Sequence, residues 1–256
     1  MSLKISVITP SFNHAEFLEA TLCSVLDQGY PNLEYIVIDG GSTDGTAAIL
    51  DRYRDRISDV VSEPDNGQTD ALIKGFSRST GDILAWLNSD DLYEPNTLWE
   101  VAEYFASHPD ASFVYGDANW IDRTGHFLRG KREIPFNRYI WLHNYNYIPQ
   151  PSTFWRRGLY EEVGGLDSSF DLAMDADLWI RFSNVTRPRH SKRLWSCMRE
   201  YPEQKNQARR QQSNVEDARI RKRYNMHGTG LRWHMERVLA KTARVVWRAT
   251  SGCYWR

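Results

Sequence analysis

The chain has 256 residues, 41% hydrophobic and 25% charged, with a net charge of −1. This is ordinary globular composition, enough for one large or two small domains, and its charge points to no nucleic-acid partner. Three cysteines, Cys23, Cys197 and Cys253, are too few and too scattered for a disulfide framework or a zinc site, so a reducing, cytoplasmic setting is expected. "MSLKISVITPSF" lacks the apolar stretch of a signal peptide, and no run reaches the about 18 apolar residues of a spanning helix.

In chain order, the β-branched run "KISVITP" (4–10) predicts a buried strand. Asn13 stands as N-cap before "HAEFLEATLCSVLDQ", whose Phe17, Leu18, Leu22, Val25 and Leu26 recur at helical spacing. "LEYIVID" (33–39) is a second strand. After the turn "GGSTDGT", Thr43 or Asp44 caps the helix "TAAILDRYRD". "SDVVSEP" (58–64) and "GDILAWLN" (81–88) are further strands, with "DNGQTDALIKGFSRS" as the helix between them. "PNTLWEVAEYFASHP" opens another helix with Pro95 near its first turn. Strand and helix thus alternate four times, which predicts an α/β fold with a parallel sheet and helices on both faces. Ligands bind beyond the carboxyl ends of such strands. Ser11 and Asn13, then Asp39, Asp65 and Asp90, follow successive strand ends, so the topology gathers them into one site.

The second half differs. "ASFVYGDANWIDRTGHFLRG" (111–130) predicts short strands with a turn at Thr124-Gly125. "KREIPFNRYIWLHNYNYIPQPS" is aromatic and irregular, a candidate substrate wall. "STFWRRGLYEEVGG" reads as a helix closed by Gly164 and Gly165. "MDADLWIRFSNV" is a helix with Leu178, Trp179 and Phe182 inward, and "RLWSCMREYPE" a strand and its exit.

From Lys205 on, thirteen Lys/Arg face three Asp/Glu, a local charge near +10 on a body that must be correspondingly acidic. Leu231, Met235, Val238, Leu239, Thr242 and Val246 form one helical stripe among these cations, with Trp233, Trp247 and Trp255 as amphipathic anchors. A basic amphipathic helix with Trp suits an anionic membrane surface. The same helix would also suit packing on the catalytic domain or on a second subunit in a homodimer.

"AWLNSDDLYEP" (85–95) ends an apolar run on Asp90 and Asp91. Adjacent carboxylates raise each other's pKa, and burial raises it further. A hard divalent ion sharing substrate phosphate oxygens would neutralise the pair.

These motifs carry a resemblance. "VITPSFNHAEFLEATLCSVLDQGYPNLEYIVIDGGSTDGT", "SEPDNGQTDALIKGFSRSTGDILAWLNSDDLYEP", "VYGDANWID", "QPSTFWRR", "VGGLDSSF" and "MDADLWIRF" resemble the inverting family 2 glycosyltransferases in order and spacing. The resemblance spans roughly residues 4–205. It implies the GT-A fold, a central and mainly parallel sheet. It also implies a nucleotide-sugar donor with UDP favoured, Mn²⁺ or Mg²⁺, and a glycan or lipid-linked acceptor of the kind used in bacterial polysaccharide biosynthesis. The organisation it implies is a catalytic domain over 1–205, divided into a nucleotide-binding half (1–110) and an acceptor half (111–205). A helical basic extension follows over 206–256, giving a cytoplasmic protein peripheral at the inner face of the cell membrane.

By that resemblance Pro10 and Ser11 line the nucleotide pocket with Asn13, and Asp39 accepts from a ring N–H of the base. Asp65, Asp70 and Lys74 lie in the segment closing over the nucleotide. Asn88 replaces the first acid of the family's Asp-x-Asp motif, and Asp90 matches the metal ligand. Ser89 and Asp91 are candidates for the ribose or a metal-bound water, and Gln150 for substrate. Asp175 aligns with the general base that takes the acceptor's proton. Met174 stands where the family usually has another acid. Asp177 is assigned to helix capping or a pair with Arg181 at i+4. Tyr201 stands where a phosphate- or metal-binding His is often found, leaving Gln204, Lys205 and Asn206 as candidates for phosphate. Because Asp39, Asp90 and Asp175 precede the tail, transfer to a short acceptor is expected to survive truncation before Val215. Two other functions compete: a non-catalytic nucleotide-sugar or carbohydrate-binding protein, opposed by the three retained acids, and a nucleotidyltransferase. The second is opposed by the absence of a Gly-rich phosphate loop in "PSFNHAEF".

Overall fold

A computed structural model describes residues 2–224, 228 and 230–254, the side chain of Asn206 excepted. The first half runs β1 (Ile5–Ser11), α1 (Ala15–Leu26), β2 (Leu33–Asp39), α2 (Thr46–Tyr53), β3 (Asp59–Ser62), α3 (Gln68–Arg78), β4 (Ile83–Trp86), β5 (Leu92–Tyr93) and α4 (Thr97–Ser107). The second runs β6 (Phe113–Ile121), β7 (Phe127–Lys131), α5 (Arg138–His143), β8 (Thr153–Arg156), α6 (Arg157–Glu162), α7 (Met174–Val185) and β9 (Arg189–Arg199). The tail forms α8 (Lys205–Ala208), α9 (Arg210–Arg223) and α10 (Leu231–Thr250).

The strands form one sheet in the order β3-β2-β1-β4-β8-β6-β9-β5, with β7 paired to β6. β3, β2, β1 and β4 are parallel, as the strand–helix alternation predicts. β8 then enters antiparallel between β4 and β6. Here the sequence reading needs correction: "TFWR" opens no helix. Thr153, Phe154 and Trp155 are all buried, one side chain to each face in turn, which suits a central strand. Helix begins only at Arg157.

Alternation along the parallel strands supplies both faces of the core. Ile8, Ile36, Ile38, Leu84 and Trp86 face α3 and α7, while Val7, Tyr35, Val37, Ile83 and Ala85 face α1, α2 and α4. Trp179 of α7 lies between Trp86, stacked at 5.5 Å, and Phe113, stacked at 4.8 Å. That packing fixes the rotation of α7, and so the direction of Asp175 one turn earlier.

The N-cap expectation for α1 fails. Asn13 adopts φ 52° and its Oδ1 accepts from Thr43 N at 2.8 Å, pinning one loop to another. Asp44 does the capping instead. Its Oδ2 accepts from Ala15 N at 2.9 Å and its Oδ1 from Thr46 N at 2.9 Å, so one carboxylate serves the first turns of α1 and α2.

Nor does the tail stand apart from the catalytic domain. α9 packs on α7, and α10 packs along α5. Two of the expected membrane anchors turn inward: Trp247 packs on the core, and Trp233 lies 5.3 Å from His143. Trp255 lies outside the described residues.

Candidate active site

A cavity of 1010 Å³ opens at the carboxyl ends of β1 and β4, where the strand order reverses. It lies at the upper end of the about 300–1,000 Å³ usual for ligand pockets. Pro10, Ser11, Asp65, Asn88, Ser89, Asp90, Asp91, Gln150 and Asp175 line it, so the sheet edge gathers most of the residues singled out from the sequence. Ser11 Oγ is buried with no hydrogen-bond partner among the described residues. Asp65 accepts from Gly67 N at 2.8 Å and packs on Gly40, where an added Cβ would sit 2.8 Å from the carboxylate.

Side-chain amides tie the floor together. Lys205 Nζ donates to Gln68 Oε1 (3.3 Å), and Gln68 Nε2 to Asn88 Oδ1 (2.8 Å). Asn88 Nδ2 donates to Gln150 Oε1 (3.1 Å) and to Asp91 Oδ2 (3.3 Å), and Gln150 Nε2 to the Trp86 carbonyl (2.9 Å). This explains Asn88: an aspartate there would have no hydrogen to give and would set a third charge against Asp91. Thr21 Oγ1 anchors the turn from α1, donating to the carbonyls of Ser89 and Asp91 at 2.9 Å each.

The acid pair is held by Arg199 and Tyr201. Arg199 N donates to Asp91 Oδ1 at 2.9 Å, and Arg199 Nε to the Asp90 carbonyl at 2.8 Å. Burial, and then the neighbouring charge of Asp90, push the Asp91 carboxyl well above its ordinary range. Asp90 accepts from the Tyr201 hydroxyl at 2.8 Å through Oδ2 alone. No group of three His, Cys, Asp or Glu side chains in metal-binding arrangement occurs among the described residues. The Asp90 carboxylate, held by a phenol at the cavity wall, fits an ion that takes one or two protein carboxylates and fills its shell with diphosphate oxygens and water.

Across the cavity, Asp175 accepts from Asn146 Nδ2 at 2.9 Å. Asn146 is oriented by Trp141 Nε1 (3.1 Å) and Ile148 N (3.2 Å), both donating to its Oδ1, so its NH₂ faces Asp175. Burial raises the Asp175 carboxyl to about 6, helped by the charge of Asp217 and opposed by hydrogen bonds from Ala176 N and Asn146. Asp177 points away and is fully buried. It accepts from Arg181 Nε at 2.8 Å, as the i+4 spacing predicts, and from Arg223 Nη1 at 2.9 Å.

Several assigned residues lie elsewhere. Lys74 pairs with Glu63 at 2.7 Å and does not line the cavity. Asp70 accepts from Asn66 N at 3.0 Å, closing its own loop. Asp39 is buried, its Oδ2 accepting from Ser62 Oγ at 2.6 Å and Ser42 N at 3.1 Å, and its Oδ1 from Ser42 Oγ. Neither Asp39 nor Asn13 lines the cavity.

The tail, conversely, supplies part of the wall: Gln204, Lys205, Gln207, Arg209, Ser213 and Asp217. Lys205 and Arg209 pair with Asp171 at 2.7 and 2.6 Å. Glu216 Oε2 accepts from Asp171 N, Leu172 N and Ala173 N at 3.1, 2.8 and 3.0 Å, directly ahead of α7. The domain boundary expected at 205/206 therefore cuts through the cavity wall. Glu216 and Asp217 escape sequence reasoning because they lie far from every motif; the one signal is an acidic pair inside a basic tail.

The model of "Glycosyl transferase family 2" matches residues 6–163. The chain belongs to that family. This glycosyltransferase is 34% identical over 193 residues to a "PGL/p-HBAD biosynthesis glycosyltransferase" of Mycobacterium bovis, covering 72% of this chain and 73% of the relative. In fold it is similar to a mannosyltransferase of Pyrobaculum calidifontis in complex with GDP-Man and Mn²⁺. That likeness has a TM-score of 0.67 and 19% identity, over 94% of this chain and 69% of that one. It is also similar to S. aureus TarS 1–349 in complex with UDP-GlcNAc, with a TM-score of 0.64 and 18% identity, over 78% of this chain. The glycosyltransferase spans 59% of that staphylococcal chain. The α/β GT-A fold expected from the motifs is therefore the observed one. The family match ends before Asp175 and the tail, so that wall of the cavity rests on this chain's own geometry.

Proposed function

We propose that this family 2 glycosyltransferase moves a sugar, with inversion, from a nucleotide-diphosphate donor, UDP-sugar favoured, to a hydroxyl of a glycan or lipid-linked acceptor. The observation that carries the reading is one cavity bearing two opposed acid sites, the Asp90–Asp91 turn and a half-buried Asp175 raised to about 6. Paired acids pushed apart in role by their environments mark acid/base assignments. The acceptor oxygen attacks the anomeric carbon as the bond to the diphosphate oxygen breaks, and Asp175 takes the acceptor proton. Asn146 holds the carboxylate toward the reacting oxygen. Lys205 and Arg209, both in the cavity wall, are the proposed cationic contacts to the diphosphate oxygens. Mn²⁺ or Mg²⁺ bound at Asp90 would neutralise charge on the leaving diphosphate. Pro10, Ser11, Asp65, Ser89, Asp91 and Gln150 are the proposed donor contacts. Base recognition by Asp39 requires Ser42 to move, because Ser42 holds its Oδ1. The UDP-GlcNAc and GDP-Man held by the two fold neighbours support the donor class.

A panel of nucleotide sugars with and without Mn²⁺, read by thermal shift and nucleotide release, tests the reading. The expected result is metal-dependent stabilisation and turnover by one donor. Stabilisation without turnover on any acceptor would favour the binding-protein alternative. Asp90→Ala should abolish transfer and remove the metal-dependent part of nucleotide-diphosphate binding. Unchanged metal dependence in that variant would move the ligand role elsewhere.

A further inference from the structure

α10 has two faces of opposite meaning. The inner face carries buried Ala240 and Arg244. Arg244 Nη2 donates to both carboxylate oxygens of buried Glu133, at 2.7 and 2.9 Å, which fixes the helix against the body. The outer face is apolar too, although Trp233 and Trp247 already turn inward on the other side. Leu231 is 76% exposed, Leu239 59%, Val246 55%, Met235 54% and Val238 49%. A surface helix ordinarily shows its polar side to water and its apolar side to the core. Here the apolar stripe lies directly opposite Ala240 and Arg244, and the exposed cations Arg232 and Lys241 flank it.

We propose that the outer face of α10 docks on an anionic lipid surface, lying in the interface plane with its apolar stripe among the acyl chains. No helix among the described residues is long and apolar enough to cross a membrane, so attachment is peripheral. Charge complementarity selects lipid over a second copy of this chain. A symmetric dimer through this face would set the exposed cations Arg232 and Lys241 of one copy against those of the other, whereas anionic headgroups meet these cations directly. The placement also serves the cavity. Arg244, on the inner face, lies 4.6 Å over the ring of Tyr145, which lines it, so α10 stands between the cavity rim and the docked lipid. Docking does not depend on the transfer reaction, and its failure would leave the catalytic reading untouched.

The test is flotation of the full chain with vesicles of phosphatidylglycerol and phosphatidylcholine, against phosphatidylcholine alone. Binding is expected to the anionic vesicles only, at low salt, and to be lost at high salt. The double variant Leu239→Glu/Val246→Glu should weaken vesicle affinity by roughly tenfold or more while keeping the parent's melting temperature and donor binding. Absence of vesicle binding by the wild type at low salt would overturn the proposal, as would full binding by the double variant. So would a wild-type dimer in sedimentation that the double variant splits, with no vesicle binding.

Discussion

Asp175→Asn loses transfer by about 10²–10⁴-fold and, near pH 8, melts at a higher temperature than the parent. Both effects come from the charge of one half-buried carboxylate. The folded carboxyl titrates at about 6 against an ordinary value of 3.8, chiefly through burial. Between those values the native state binds more proton than the unfolded chain, so stability falls as pH rises through the window and stays lower above it. The deficit is at most about 3 kcal/mol, which for a chain of this size corresponds to several degrees. Asparagine keeps the shape, still accepts from Asn146 and removes the charge, so the deficit vanishes; below about pH 4 the two proteins should melt alike. For the parent, kcat/KM should rise about tenfold per pH unit up to about 6 and then level, because only the ionised carboxylate accepts the acceptor's proton. Melting temperature and kcat/KM measured across pH check both limbs. Near-normal turnover in the variant would move the base to Asp217, which lines the same cavity. Asp177 is not the next candidate, because Arg181 and Arg223 hold it in buried ion pairs.

Glu216→Ala should be nearly as damaging, from a residue outside every family motif. Three consecutive backbone N–H groups ahead of α7 share its Oε2, and Glu216 is buried. Removing the carboxylate leaves those donors without their acceptor, at about 1–3 kcal/mol for each that stays buried. The segment they belong to leads into α7, so Asp175 loses its position as well as its support. Transfer should fall by about 10² or more, the order expected when a catalytic group shifts by an ångström, and the melting temperature should drop by several degrees. Glu216→Gln retains an acceptor oxygen and should recover much of both. A Gln variant as impaired as the Ala variant would assign the effect to lost charge instead. Truncation before Val215 removes Glu216, Asp217 and the Arg223–Asp177 pair together. The truncated enzyme is therefore expected to be inactive even on a short acceptor. This reverses what the order of motifs along the chain suggests.

The sequence by itself determined the parallel half of the sheet, the family and the strand-end cluster. β-branched runs at a regular interval, each followed by an amphipathic helix, admit one arrangement, and that arrangement puts Ser11, Asp65 and Asp90 at one edge. The i+4 pair of Asp177 and Arg181 was equally legible, because helix geometry alone brings them together. Only the tertiary structure decided three other points. "TFWR" is a strand because β4 and β6 leave a slot that buries both of its faces, which periodicity over four residues does not reveal. Asp44 caps two helices, displacing Asn13, because the loop after β2 folds back on α1. The tail belongs to the active site because α9 brings Glu216 and Asp217, more than forty residues beyond Asp175, against the start of α7. Local spacing encodes what neighbours on one element do. Contacts across such distances arise only when burial of Ile220 and the ion pairs of Arg209 and Arg223 dock α9 on the body.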